Sequence, residues 1–100
     1  MTIKELNTIH QALSDKRTLL ERQLRAARLK AEELADELKT MPDTSPDLDE
    51  LTDDCDEALD NASWLHDQLT IADNAERAIL SAISSLQLAK AWGVWEEKEG

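Results

Sequence analysis

The chain has no Phe, no Tyr, two Gly, two Pro and a single Cys in 100 residues. With glycine confined to Gly93 and Gly100 and proline to Pro42 and Pro46, almost nothing interrupts the chain outside one short central segment. Strands favour β-branched and aromatic residues, and their scarcity argues against a sheet. The abundance of Ala, Leu, Glu, Lys, Gln and Arg, the residues that lose least on entering a helix, gives an all-α class. One cysteine excludes an intrachain disulfide, and Cys55, at an apolar heptad position, reads as a small hydrophobe. No stretch approaches the roughly 18 apolar residues of a membrane span, and Met1 to Asn7 carries no apolar run of signal-peptide length. A cytoplasmic chain without a membrane partner is the expectation.

Chemistry is equally sparse. His10 and His66 are far apart, there is no Gly-rich phosphate loop, and no nucleophile has a base beside it, so neither catalysis, a cofactor nor a small-molecule substrate is expected. Asp43, Ser45, Asp47, Asp49 and Asp54 fall near calcium-loop spacing. Leu48, however, occupies the place that requires Gly, and Asp54 the place that prefers a bidentate Glu, so no metal site is expected.

What the sequence does contain is a long heptad. Ile3, Leu6, His10, Leu13, Arg17, Leu20, Leu24, Ala27, Ala31, Leu34, Leu38 and Met41 recur at alternating intervals of three and four. This predicts a helix over about 2–41, roughly 60 Å long at 1.5 Å per residue. Pro42 ends it, and Ser45-Pro46 reads as an N-cap followed by proline in the first helical position. A second helix is predicted over about 46–92, with the seam Leu48, Leu51, Cys55, Ala58, Ala62, Leu65, Leu69, Ala72, Glu76, Ile79, Ile83 and Leu86. Folding at the turn pairs seam residues whose numbers sum to 89, such as Leu24 with Leu65 and Leu20 with Leu69. The polar exceptions then gather: Glu76 falls opposite Leu13, between His10 and Arg17, where a charge pair would fix register. Asp73-Asn74-Ala75-Glu76 has the form of a capping box, and a kink or break near Asp73, giving three helices, is the structural alternative.

Charge is uneven. Residues 1–41 hold eight basic and seven acidic side chains, and residues 42–85 hold one and twelve. From Glu32 to Asp60 there are thirteen carboxylates and one lysine, Lys39. Glu32, Glu33, Asp36 and Glu37 of the first helix meet Asp47, Asp49, Glu50, Asp53, Asp54, Asp56, Glu57 and Asp60 of the second, so like charge faces like charge at the turn. A solvated face that aids solubility is the plain account. Carboxylates repeated at roughly 5–6 Å along a helix also present a field like that of a phosphate backbone. The basic stretch Lys16, Arg17, Arg22, Arg25, Arg28 and Lys30 sits on a molecule of net charge −11, so direct nucleic-acid binding is not expected, and pairing with Glu21, Asp60 and Asp67 is.

A second apolar stripe, Trp64, Ile71, Ala75, Ala78, Ala82, Ala89 and Trp92, is rotated away from the first seam. The first helix offers Ile9, Ala12, Leu19, Ala26 and Leu29 over the corresponding length. A single hairpin buries only one seam, so this stripe implies a homodimer forming a four-helix bundle, a returning third helix, or a docking face. In the tail, Leu88, Trp92 and Trp95 are spaced as helix anchors for a partner groove, or as a cap on the bundle. Length, acidity and a central turn are similar to the small secreted hairpins that carry Trp-x-Gly in the turn. This turn reads Met41-Pro42-Asp43-Thr44-Ser45-Pro46 and Trp92-Gly93 lies at the far end, so that resemblance is not carried by the motif.

The expectation is therefore a single helical-hairpin domain, 1–100, with a Trp-containing tail over about 88–100. Its acidic tip would occupy a basic surface on a nucleic-acid-handling protein, as a DNA mimic does and as phage-encoded antagonists of host defence do. The alternative is a structural or chaperone-like adaptor gripping a partner helix through Trp64, Ile71, Leu88, Trp92 and Trp95.

Overall fold

The computed structural model describes residues 2–97 and shows an all-α helical hairpin of two helices: α1, Ile3–Thr40, and α2, Leu48–Ala91. Both lie within two residues of the bounds that the heptads predict. The second helix is continuous for 44 residues, and the break near Asp73 that was the structural alternative is absent. The last three residues of the predicted tail, 98–100, lie outside the described residues.

Each helix end has an identifiable cause. The Thr2 hydroxyl accepts the Glu5 N–H at 3.1 Å and the Thr2 carbonyl accepts the Leu6 N–H, so Thr2 is the N-cap of α1. At the start of α2 the Ser45 hydroxyl accepts the Asp47 N–H at 3.4 Å, and the Ser45 carbonyl accepts from Leu48 at 3.3 Å. Ser45 thus caps a tight first turn containing Pro46, whose missing N–H costs nothing there. At the far end Gly93 adopts φ +74°, Val94 donates to the Ala89 carbonyl, and Gly93 donates to Lys90, which together make a Schellman stop.

The chain divides into two compact units, residues 19–69 and residues 1–18 with 70–100. In the first, the turn joins the end of α1 to the start of α2. Leu20, Leu24, Ala27, Ala31, Leu51, Cys55, Ala58, Ala62 and Leu65 are buried there. A groove lined by Ala27 and Ala58, and another by Ala27 and Leu65, bracket the predicted pairing of Ala27 with Ala62. In the second unit Leu6, Ala72 and Ile83 are buried with Glu76. Every seam position of both helices is buried or half-buried.

Glu76 shows why the capping box is not used. Its carboxylate lies 3.2 Å from His10 Nε2 and 3.2 Å from Arg17 Nε, so it sits between the two residues that flank Leu13, as the register requires. Asp73 faces Arg17 at 3.8 Å and Arg77 at 3.1 Å, the latter one helical turn away. Both acids of the apparent box are thus committed to side-chain partners, and the backbone continues. His10 Nε2, Arg17 Nε and Glu76 Oε2 are buried close together without hydrogen-bond geometry. The tail closes this unit: Glu97 accepts the Ile3 N–H and lies 3.7 Å from Lys90 Nζ.

Leu20→Ala should cost about 2–5 kcal/mol in chemical denaturation, whereas Leu29→Ala, at a position 57% exposed, should cost roughly 0.5 kcal/mol or less. Glu76→Ala should cost about 1–3 kcal/mol, reduced from the fully buried case because Arg17 is one-third exposed. Replacing His10, Arg17 and Glu76 together with Leu should restore the midpoint to the wild-type value or above it.

Candidate protein-binding surface

The turn end belongs wholly to the 19–69 unit. It is built from the last two turns of α1, the connection 41–47 and the first three turns of α2. Its backbone is well tied. The Thr40 hydroxyl donates to the Glu37 carbonyl at 3.0 Å, Ser45 N–H to the Pro42 carbonyl at 3.0 Å, and the Thr52 hydroxyl to the Leu48 carbonyl at 2.8 Å.

All thirteen acidic residues from Glu32 to Asp60 are exposed, and among the described residues none forms an ion pair within 4.0 Å. Lys39 is equally unpaired. Asp49 and Glu50 in the first turn of α2 are favoured by the helix dipole, but Asp36 and Glu37 approach the negative end of α1, where acids are disfavoured. Asp49, Asp53, Asp56 and Asp60 follow one helical stripe of α2, and Asp47, Glu50, Asp54 and Glu57 another. Neighbours at three and four residues each cost a few tenths of a kcal/mol. No group of three or more His, Cys, Asp or Glu among the described residues converges as a metal ion would need.

The basic stretch does not neutralise these acids. Of its members only Arg17 is ion-paired among the described residues, and its partners are Asp73 and Glu76 rather than Glu21, Asp60 or Asp67. Lys30 comes nearest to the tip: it borders a groove of about 380 Å³ with Leu34, Asp54, Glu57 and Asn61, but forms no ion pair there. Sequence spacing indicated neither this groove nor the roles of Asp73, Arg77 and Glu97. Asp73 and Arg77, four apart on one helix, were the available signal for the first two.

The apolar candidates divide differently. Trp64 is 58% exposed and borders a groove of about 450 Å³ with Gln23, Ala26 and Lys30. Ile71, Leu88 and Trp92 are also exposed, Trp92 at 70%. Trp95 is half-buried and lies beyond the stop at Gly93. Leu88 and Trp92 therefore remain one turn apart, but Trp95 is not on their helix, and the three do not form one helical anchor. Trp92, so exposed, does not cap the single chain.

No helix among the described residues is long and apolar enough to cross a membrane. Comparison with protein-family models, curated proteins and solved structures gives no match to this chain.

Mutual repulsion at the turn end should be visible in solution. Raising ionic strength from about 0.01 M to 1 M shortens the screening length from about 30 Å to 3 Å. The thermal midpoint should rise with sodium chloride, and the rise should shrink in the variant carrying Asp49, Asp53, Asp56 and Asp60 as Asn.

Proposed function

We propose that this protein is a binding protein whose acidic turn end occupies a basic, nucleic-acid-binding surface of another protein. The observation that carries this reading is the set of thirteen exposed carboxylates without an ion-pair partner among the described residues. Solubility requires net charge, but it does not require like charges to face one another across a seam while the basic stretch of the same chain, Arg17 apart, forms no ion pair among the described residues. A rigid array with carboxylates every turn reproduces the two properties that Lys and Arg read in a duplex, charge density and regular spacing. The shared class is that of small acidic antagonists, including those that phages direct against host defence systems.

The mode of binding has measurable consequences. Association should be fast and strongly salt-dependent, because exposed charges steer encounter and are screened. In a pull-down from host lysate at low and moderate salt, the wild type should retain a nucleic-acid-binding protein that is lost as salt rises. The variant with Asp49, Asp53, Asp56 and Asp60 changed to Asn should fail to retain it, and DNA should compete with the wild type. A partner held equally by both variants at high salt, and released by Trp64→Ala, would replace this reading with that of an adaptor gripping a helix through its apolar face.

A further inference from the structure

The charge of the chain is partitioned between its units. Residues 19–69 hold five basic and fifteen acidic side chains, a net −10, whereas residues 1–18 and 70–100 hold six and seven, a net −1. The nearly neutral unit also carries an unpartnered apolar face. On α2 this face comprises Ile71, Ala78, Ala82, Ala89 and Trp92, and Ile9 of α1 joins it; Ile9, Ile71 and Trp92 are all exposed.

We infer that this face receives a second copy of the chain, packed antiparallel about a two-fold axis at the level of residue 80. Three observations on the same unit agree on that axis. On α2, an antiparallel copy centred there sets Ala78 against Ala82 of the other copy, so small residues meet where the helices approach most closely. It also sets Ile71 against Ala89, large against small. On α1, the register in which paired numbers sum to 89 puts Ile9 at the level of residue 80, so the exposed Ile9 meets its own counterpart on the axis, as an isologous contact requires.

Charge selects both the occupant and its direction. Glu5 and Lys16 lie on either side of Ile9, both exposed and neither ion-paired through its side chain among the described residues. In the antiparallel arrangement Glu5 of one copy falls within about 4.5 Å, along the axis, of Lys16 in the other, which a lysine side chain can span. A parallel copy would set Glu5 on Glu5 and Lys16 on Lys16. Contact through this unit joins two surfaces of net −1, whereas contact through the acidic unit would join −10 to −10.

Mass determination by light scattering on the full chain, over a dilution series, tests the proposal. The wild type should approach twice 11.2 kDa with rising concentration. Ala78→Glu should weaken the dimer by at least about tenfold, because it places an unpartnered carboxylate at the centre of the contact; circular dichroism should show helicity unchanged, since Ala78 is exposed in the single chain. Glu5→Lys and Lys16→Glu should each weaken the dimer roughly fivefold, and the double exchange should restore it. A chain that stays monomeric at every concentration overturns the proposal. So does a dimer indifferent to Ala78→Glu, or one in which the double exchange is no better than the single changes, which would place the second copy in another orientation.

Discussion

Neither helix can bury its apolar stripe alone, and the rest of the structure depends on closing the two stripes into one seam. The intervals of three and four keep the stripe on one face of each helix, and Pro42 and Pro46 set the point of reversal. Once the seam is closed, polar residues within it must find one another. Glu76 does so by lying between His10 and Arg17. A slip of one heptad would set that carboxylate opposite Leu20, beside Arg17 alone, or opposite Leu6, beside His10 alone, so the polar layer adds specificity where the apolar layers, rich in interchangeable Leu and Ala, would tolerate displacement.

The same seam makes the acidic end costly. Because pairing brings residues 32–38 beside residues 51–57, the acids of one helix are held near those of the other, and no rearrangement compatible with the seam separates them. The Ser45 cap and the short connection close the turn in spite of that repulsion. With Lys39 the one basic residue between Glu32 and Asp60, the turn end is left strongly acidic.

The fold was legible in the sequence because it rests on periodicity: both helices and their register are read from apolar spacing, and each seam position is buried or half-buried. Local signals were less decisive. Thr2-Ile3-Lys4-Glu5 is a usable N-cap signature and marks the true start of α1, whereas the equally good Asp73-Asn74-Ala75-Glu76 marks nothing, because Arg17, Arg77 and His10 compete successfully for its carboxylates. Charge density located the acidic surface but not its surroundings. The Lys30 groove depends on which sides of the two helices face one another, and the engagement of Glu97 depends on a tail that turns back after Gly93. Neither has a spacing signature. In the tail, the heptad spacing of Leu88, Trp92 and Trp95 was misleading because a positive φ at Gly93 stops the helix within it.

The bond from the Ile3 N–H to Glu97 joins positions 94 residues apart. The first N–H of α1 thus donates to an acid 94 residues along the chain, at the terminus where the helix dipole most favours a negative charge. Ile3 and Glu97 are therefore one chemical locus: loss of the Glu97 carboxylate would leave an N–H of the first turn of α1 without this acceptor.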